Sequence, residues 1–176
     1  MALSARNPEP EGRSVALRRQ DFLTAVVDRL RHELPEELAE FHVKSMGSLI
    51  KIYYGNERVH FEVMTSSSRQ SMEIGLHFED GAVSTAAYLA YFDRYIVELK
   101  HQLGATIELE RWTESWGHIY EIEPIAKLTD FQMNRTAKRL AELIAVLQPL
   151  VDAAGIPSER ATATTEYRGR WSRRRR

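Results

Sequence analysis

Two histidines and three glutamates recur at alternate positions within one short stretch of this chain: His60, Glu62, Glu73, His77 and Glu79. Imidazole nitrogens and carboxylate oxygens are the donors that zinc and non-haem iron take, and two His with one carboxylate is a common set for either. Such donors act together only if the chain puts them on one face. The residues interleaved with them are apolar: Ile50, Ile52 and Tyr54, then Val59, Phe61 and Val63, then Met72, Ile74, Leu76 and Phe78. A side-chain period of two marks three β-strands between Leu49 and Glu79. One face of their sheet packs on a core. The other collects Lys51, His60, Glu62, Glu73, Gly75, His77 and Glu79.

Two pairings of the second and third strands keep this alternation. One sets Glu62 opposite Glu73, where like charges repel. The other sets His60 opposite His77 and Met64 opposite Glu73, and is electrostatically easier because partners directly across a ladder lie about 4.5–5.5 Å apart. The second pairing makes His60, Glu62, Glu73 and His77 the candidate metal ligands. The competing reading is a solvated sheet face, since no ligand-spacing motif such as His-Glu-x-x-His accompanies them. No cofactor and no catalytic residue is assigned from the sequence.

Two further groups carry binding chemistry. Arg111, Trp112, Trp116 and Tyr120 cluster around one turn with Glu114 and His118, and exposed aromatics beside basic groups stack bases or small ligands. Covering one end of a core is the commoner fate of such a cluster and the one expected here. Near the C-terminus, Arg168, Arg170, Trp171, Arg173, Arg174, Arg175 and Arg176 interleave arginine with an aromatic. That composition suits weak, salt-sensitive contact with single-stranded nucleic acid. Residues 156–176 carry seven arginines against two glutamates, so an acidic body of charge −6 bears a basic end.

Composition excludes several classes. The chain has 176 residues and no cysteine, which removes disulfides, thiol nucleophiles and thiolate metal sites. There is no phosphate-cradling glycine loop, dinucleotide fingerprint or nucleophile motif. No apolar run approaches the roughly 20 residues that span a bilayer. Residues 1–12 lack the apolar segment of a secretory signal, so a cytoplasmic protein without membrane association is expected.

The elements that must position these groups follow from periodicity. Residues 1–14 read as a disordered leader, 15–155 as a single domain and 156–176 as a flexible basic tail. Phe22, Leu23, Val26, Val27, Leu30 and Leu34 form the stripe of a first helix over 18–34, stopped by Pro35. A short second helix follows to about His42. Gly55-Asn56 suits a tight turn between the first two strands. Ser84 is placed to cap one long helix reaching Leu103, closed by Gly104. Two more strands are expected: 106–112 with Ile107 and Leu109 inward, and 118–123 with Tyr120 and Ile122 inward. A last helix opens at Thr129 with Gln132 in a capping box, meets Pro149 and ends at Gly155. The fold class is α+β, a five-stranded mostly antiparallel sheet with its helices on one face.

The run Met72-Glu73-Ile74-Gly75-Leu76-His77-Phe78, the helix after it and Ile107-Glu108-Leu109-Glu110-Arg111-Trp112 resemble bacterial α+β domains of unknown function, some of which occur beside restriction-type nuclease folds. The resemblance spans about residues 46–151 and implies the architecture alone. A nuclease of that type needs an acid-x-Lys triplet; the matching triplet here, Glu73-Ile74-Gly75, has no lysine. The functional expectation is therefore a non-enzymatic interaction or regulatory module that pairs with a protein partner or with itself. The rival is a metal-dependent or small-molecule enzyme working on the His/Glu sheet face.

Overall fold

A computed structural model describes residues 15–159. The leader 1–14 and the arginines from Arg160 to Arg176 lie outside the described residues. The chain runs α1 (Arg19–Glu33), α2 (Glu36–Ala39), β1 (His42–Met46), β2 (Leu49–Tyr53), β3 (Val59–Ser66), β4 (Ser71–Phe78), α3 (Ala82–Asp93), α4 (Ile96–Leu103), β5 (Glu108–Thr113), β6 (Trp116–Pro124) and α5 (Asp130–Ala154). The fold is α+β. Its six strands form one antiparallel sheet in the order β1-β2-β3-β4-β6-β5. No helix among the described residues is long and apolar enough to cross a membrane.

The expected five strands are six. β1 is the added strand: the expected second helix ends near His42 and no element is assigned to 43–46, because all five side chains of β1 are exposed and an exposed edge strand leaves no alternation to read. It joins β2 through Gly47, whose φ of +55° supplies the left-handed residue a two-residue hairpin needs. Gly55 and Asn56 take no such conformation. The Asn56 side chain instead braces the turn, its amide donating to Asp80 Oδ2 at 2.8 Å and its oxygen accepting from the Arg58 N–H at 3.1 Å.

The long helix expected from Ser84 to Leu103 is broken into α3 and α4 at Arg94-Tyr95, where Tyr95 leaves helical geometry at φ −111°, ψ 2°. No glycine or proline marks that break. Ser84 is not the cap of α3 either. Gly81 holds the N-cap position at φ +100°, and the Glu159 carboxylate accepts from the Val83 and Ser84 N–H groups at 3.1 and 3.2 Å. In α5 the Gln132 N–H donates to Thr129 Oγ1 at 3.2 Å, while the Gln132 side chain reaches Glu123. Gly155 closes this helix with φ +59°.

The core lies on the Ile50, Phe61, Ile74 and Phe78 side of the sheet, where those residues are at most 1% exposed. Phe22, Leu23, Val26 and Leu30 of α1 and Leu140, Leu143, Ile144 and Leu147 of α5 fill it. Helices α3 and α5 meet the sheet on this face: Phe78 stacks on Tyr88 and Phe92, and Arg139 of α5 pairs with Glu121 at 2.6 Å. Strand β6 contradicts its expected facing. Ile119 is the core residue, fully buried, and Ile122 is 57% exposed. The strand carries apolar side chains on both parities; packing chose Ile119, and Gly117, two residues earlier on the same face, lies against the Leu89 side chain of α3, which a Cβ would have to displace.

Candidate metal centre

The changed facing of β6 turns His118 onto the polar face. Across the sheet His60 on β3 stands opposite His77 on β4, His77 opposite His118 on β6, and His118 opposite Glu110 on β5. The β3–β4 ladder thus has the pairing in which Met64, not Glu62, faces Glu73. Ring centroids are 5.5 Å apart for His60–His77 and 5.2 Å for His77–His118, the first pair stacked and the second edge-on. The three imidazoles are no more than 5% exposed.

Carboxylates surround this row and fall into two donor groups. His60, Glu62, His77 and Glu79 have ligand atoms all within 4.8 Å of one another, and so do Glu73, His77 and His118. In the first, His60 Nε2 is 3.4 Å from Glu62 Oε2 and 3.9 Å from Glu79 Oε1. In the second, Glu73 Oε1 lies 3.3 Å from His77 Nε2 and 3.2 Å from His118 Nδ1. Donors about 2.0–2.1 Å from a tetrahedral zinc stand roughly 3.4 Å apart along the tetrahedron's edges, so the shorter of these contacts already match.

Hydrogen bonding leaves the nitrogens unsatisfied. Both ring nitrogens of His60, His77 Nε2 and His118 Nε2 are buried without a hydrogen-bond partner. Buried polar atoms are ordinarily paired, and orphans mark a missing water, ion or ligand. The charge is unbalanced as well. Lys51, 2.9 Å from Glu79 Oε2 and 3.8 Å from Glu62 Oε2, is the one lysine or arginine that ion-pairs with Glu62, Glu73, Glu79 or Glu110 among the described residues.

Protonation suits a cation. Burial pushes His60 down, against the pull of Glu62. Burial alone would raise Glu62 and Glu73, yet His60 beside Glu62, and His118 and His77 beside Glu73, more than offset it. Glu62 moves below its ordinary value, and Glu73 falls to about 2. Neutral imidazole next to anionic carboxylate is the state in which both bind metal. Access is available beside Glu79, where a hollow of about 150 Å³ is lined by Lys51, Tyr53 and Arg58.

The four residues read from the sequence as ligands come together in part. His60, Glu62 and His77 share one group, Glu73 joins the other, and His77 belongs to both. Glu79 and His118 complete them. Glu79 was visible in the alternation; His118 was hidden by the facing of β6. The quartet Arg111, Trp112, Trp116 and Tyr120 divides. Trp112 and Trp116 are 58% and 44% exposed with centroids 5.8 Å apart, so they do not cap the core. Tyr120 stacks on His118 at 3.9 Å and donates its hydroxyl to Glu110 Oε2 at 2.8 Å, a bond that lifts the phenol to about 12. Arg111 pairs across β6 with Gly117, one position away from this set, and donates to the Glu114 carbonyl. At Gly75 a Cβ would lie 2.4 Å from the Ile119 carbonyl oxygen and 2.8 Å from Tyr120 Cα, so the lysine of a nuclease triplet has no room there.

Comparison of the chain with protein-family models, with curated proteins and with solved structures finds no match in any of the three.

Proposed function

We propose that this chain is a binding module for a divalent transition ion, zinc foremost, held on the polar sheet face by His60, Glu62, His77 and Glu79. One observation carries the reading. His60 is wholly buried, neither of its nitrogens is hydrogen-bonded, and two carboxylates stand within 4 Å of Nε2. A cation between them gives that nitrogen its partner and balances carboxylates that Lys51 alone leaves in excess. Four protein donors in a buried setting describe a closed coordination sphere, the kind that stabilises a fold rather than activates water. This favours a non-enzymatic role.

The test is zinc titration of the metal-stripped protein, followed by calorimetry and by thermal melting. Tight, saturable uptake with a raised melting temperature is expected, because an ion bound only by the folded state stabilises it by mass action. The His60→Ala/His77→Ala variant should lose that uptake. A wild-type chain that takes up no zinc, cobalt or iron(II) overturns the reading.

A second reading, self-pairing or capture of a protein partner, draws on the exposed Trp112–Trp116 pair and on the fully exposed strand β1 at the opposite edge. Exposed aromatics and free strand edges are where chains associate. Sedimentation of wild type against Trp112→Ala/Trp116→Ala checks it; an unchanged monomer in both excludes self-pairing through that patch.

A further inference from the structure

We infer that the sheet face holds two unlike metal centres joined through the imidazole of His77: the closed one proposed above, and a second on Glu73, His77 and His118 with a coordination position left open. The inference rests on the metal-binding reading and extends it.

The two donor groups have one member in common, and its two nitrogens serve different neighbours. His77 Nδ1 is 4.0 Å from Glu79 Oε1, on the side of His60 and Glu62. His77 Nε2 is 3.3 Å from Glu73 Oε1, which is itself 3.2 Å from His118 Nδ1. A histidine that ligates one metal ordinarily donates its other N–H to a carboxylate or carbonyl. His77 Nε2 is buried and makes no such bond. A second ion there would give it a partner.

On the outer side of the second group His118 Nε2 stands 3.8 Å from Glu110 Oε2, too far for a hydrogen bond, and that oxygen accepts from the Tyr120 hydroxyl at 2.8 Å. The rings of Tyr120 and Trp112 lie within 11° and 9° of the His118 plane, which sets its orientation. Three protein donors of the His₂-carboxylate type leave one position for water, as in sites that do chemistry, whereas the four-donor group leaves none. The occupant of that open position is water or a small oxyanion.

The proton balance is explicit. A neutral imidazole carries one N–H. When both nitrogens coordinate, that N–H bond breaks, its electron pair forms the second nitrogen–metal bond, and the proton passes to buffer. The second equivalent of metal therefore releases a proton that a terminal histidine ligand would keep.

The experiment is zinc stoichiometry by elemental analysis after desalting, on the full chain and on Glu73→Gln, His118→Ala and Glu62→Gln. Two equivalents are expected in wild type and one in Glu73→Gln and in His118→Ala, with Glu62→Gln weakening the other site. If His118→Ala does not fold, Glu73→Gln gives the same reading without removing a ring from the stack. Zero equivalents in wild type would refute the metal-binding reading itself. One equivalent refutes only the second centre, and two equivalents that survive both Glu73→Gln and His118→Ala refute its placement. For the shared ring, the dicopper(II) form should show resonance intensity well below two independent spins; two full, uncoupled signals refute the bridge.

Discussion

His60 and His77 face one another across the β3–β4 ladder, their ring planes 23° from parallel and both rings buried. Two imidazoles so placed cannot both carry charge cheaply in a poorly solvated site. Burial holds His60 toward its neutral form, and Glu62 and Glu79 lie at hand as oxygen donors. The geometry makes the site both a ligand set and a weak point at low pH.

Acid should therefore destabilise the metal-free protein in two stages. The folded pKa of His60 lies below its ordinary 6.5, so the stability it contributes is complete above pH 6.5 and is lost as pH falls below that. Glu73, depressed from 4.5 to about 2, acts in the same direction over the lower window between those values. Melting temperature measured from pH 8 to 3 should fall from about pH 6.5 downward. His60→Gln should flatten the upper stage; an unchanged profile would refute the assignment.

Lys51 competes with any cation for Glu62 and Glu79. Removing it in Lys51→Gln should tighten zinc binding by about tenfold, equivalent to ~1.4 kcal/mol. The metal-free variant should melt lower, because the carboxylates then face each other without a counterion. Weaker zinc binding in Lys51→Gln would show that the ammonium supports the site rather than opposing it.

Gly75 sits at the centre of the polar face, where the β6 backbone comes closest. Gly75→Ala forces its methyl against the Ile119 carbonyl and Tyr120, backbone that cannot move aside without shifting the ladder. Destabilisation of about 1–3 kcal/mol or more is expected by denaturant titration. A loss under half a kcal/mol would mean that β4 and β6 are more loosely paired than they are here.

The facing of β6 can be checked by packing. Ile119→Ala should cost about 2–5 kcal/mol, and Ile122→Ala within ~0.5 kcal/mol of nothing. Reversed magnitudes would return His118 to the core side and remove it from the site.

The arginines from Arg160 to Arg176 lie outside the described residues, and their contact with single-stranded nucleic acid is a proposal from composition alone. Deleting residues 160–176 should abolish weak, strongly salt-dependent binding to single strands while zinc uptake stays unchanged. Binding that survives the deletion would place the contact on the body.

Local alternation in β3 and β4 determined their shared polar face, and charge alone preferred the register that pairs His60 with His77. Those are short-range facts: a period of two and a repulsion between neighbours. The first helix, the Thr129 cap and the Gly155 stop were legible for the same reason, since each depends on residues within a turn or two. Tertiary structure decided the rest. β1 became a strand because β2 offered it a ladder, not because its own residues alternate. The break at Tyr95 has no local breaker, neither glycine nor proline, to announce it. The third histidine entered the site because Ile119 outcompeted Tyr120 and Ile122 for the core, and on a strand with apolar residues on both sides only the opposing helices can make that choice.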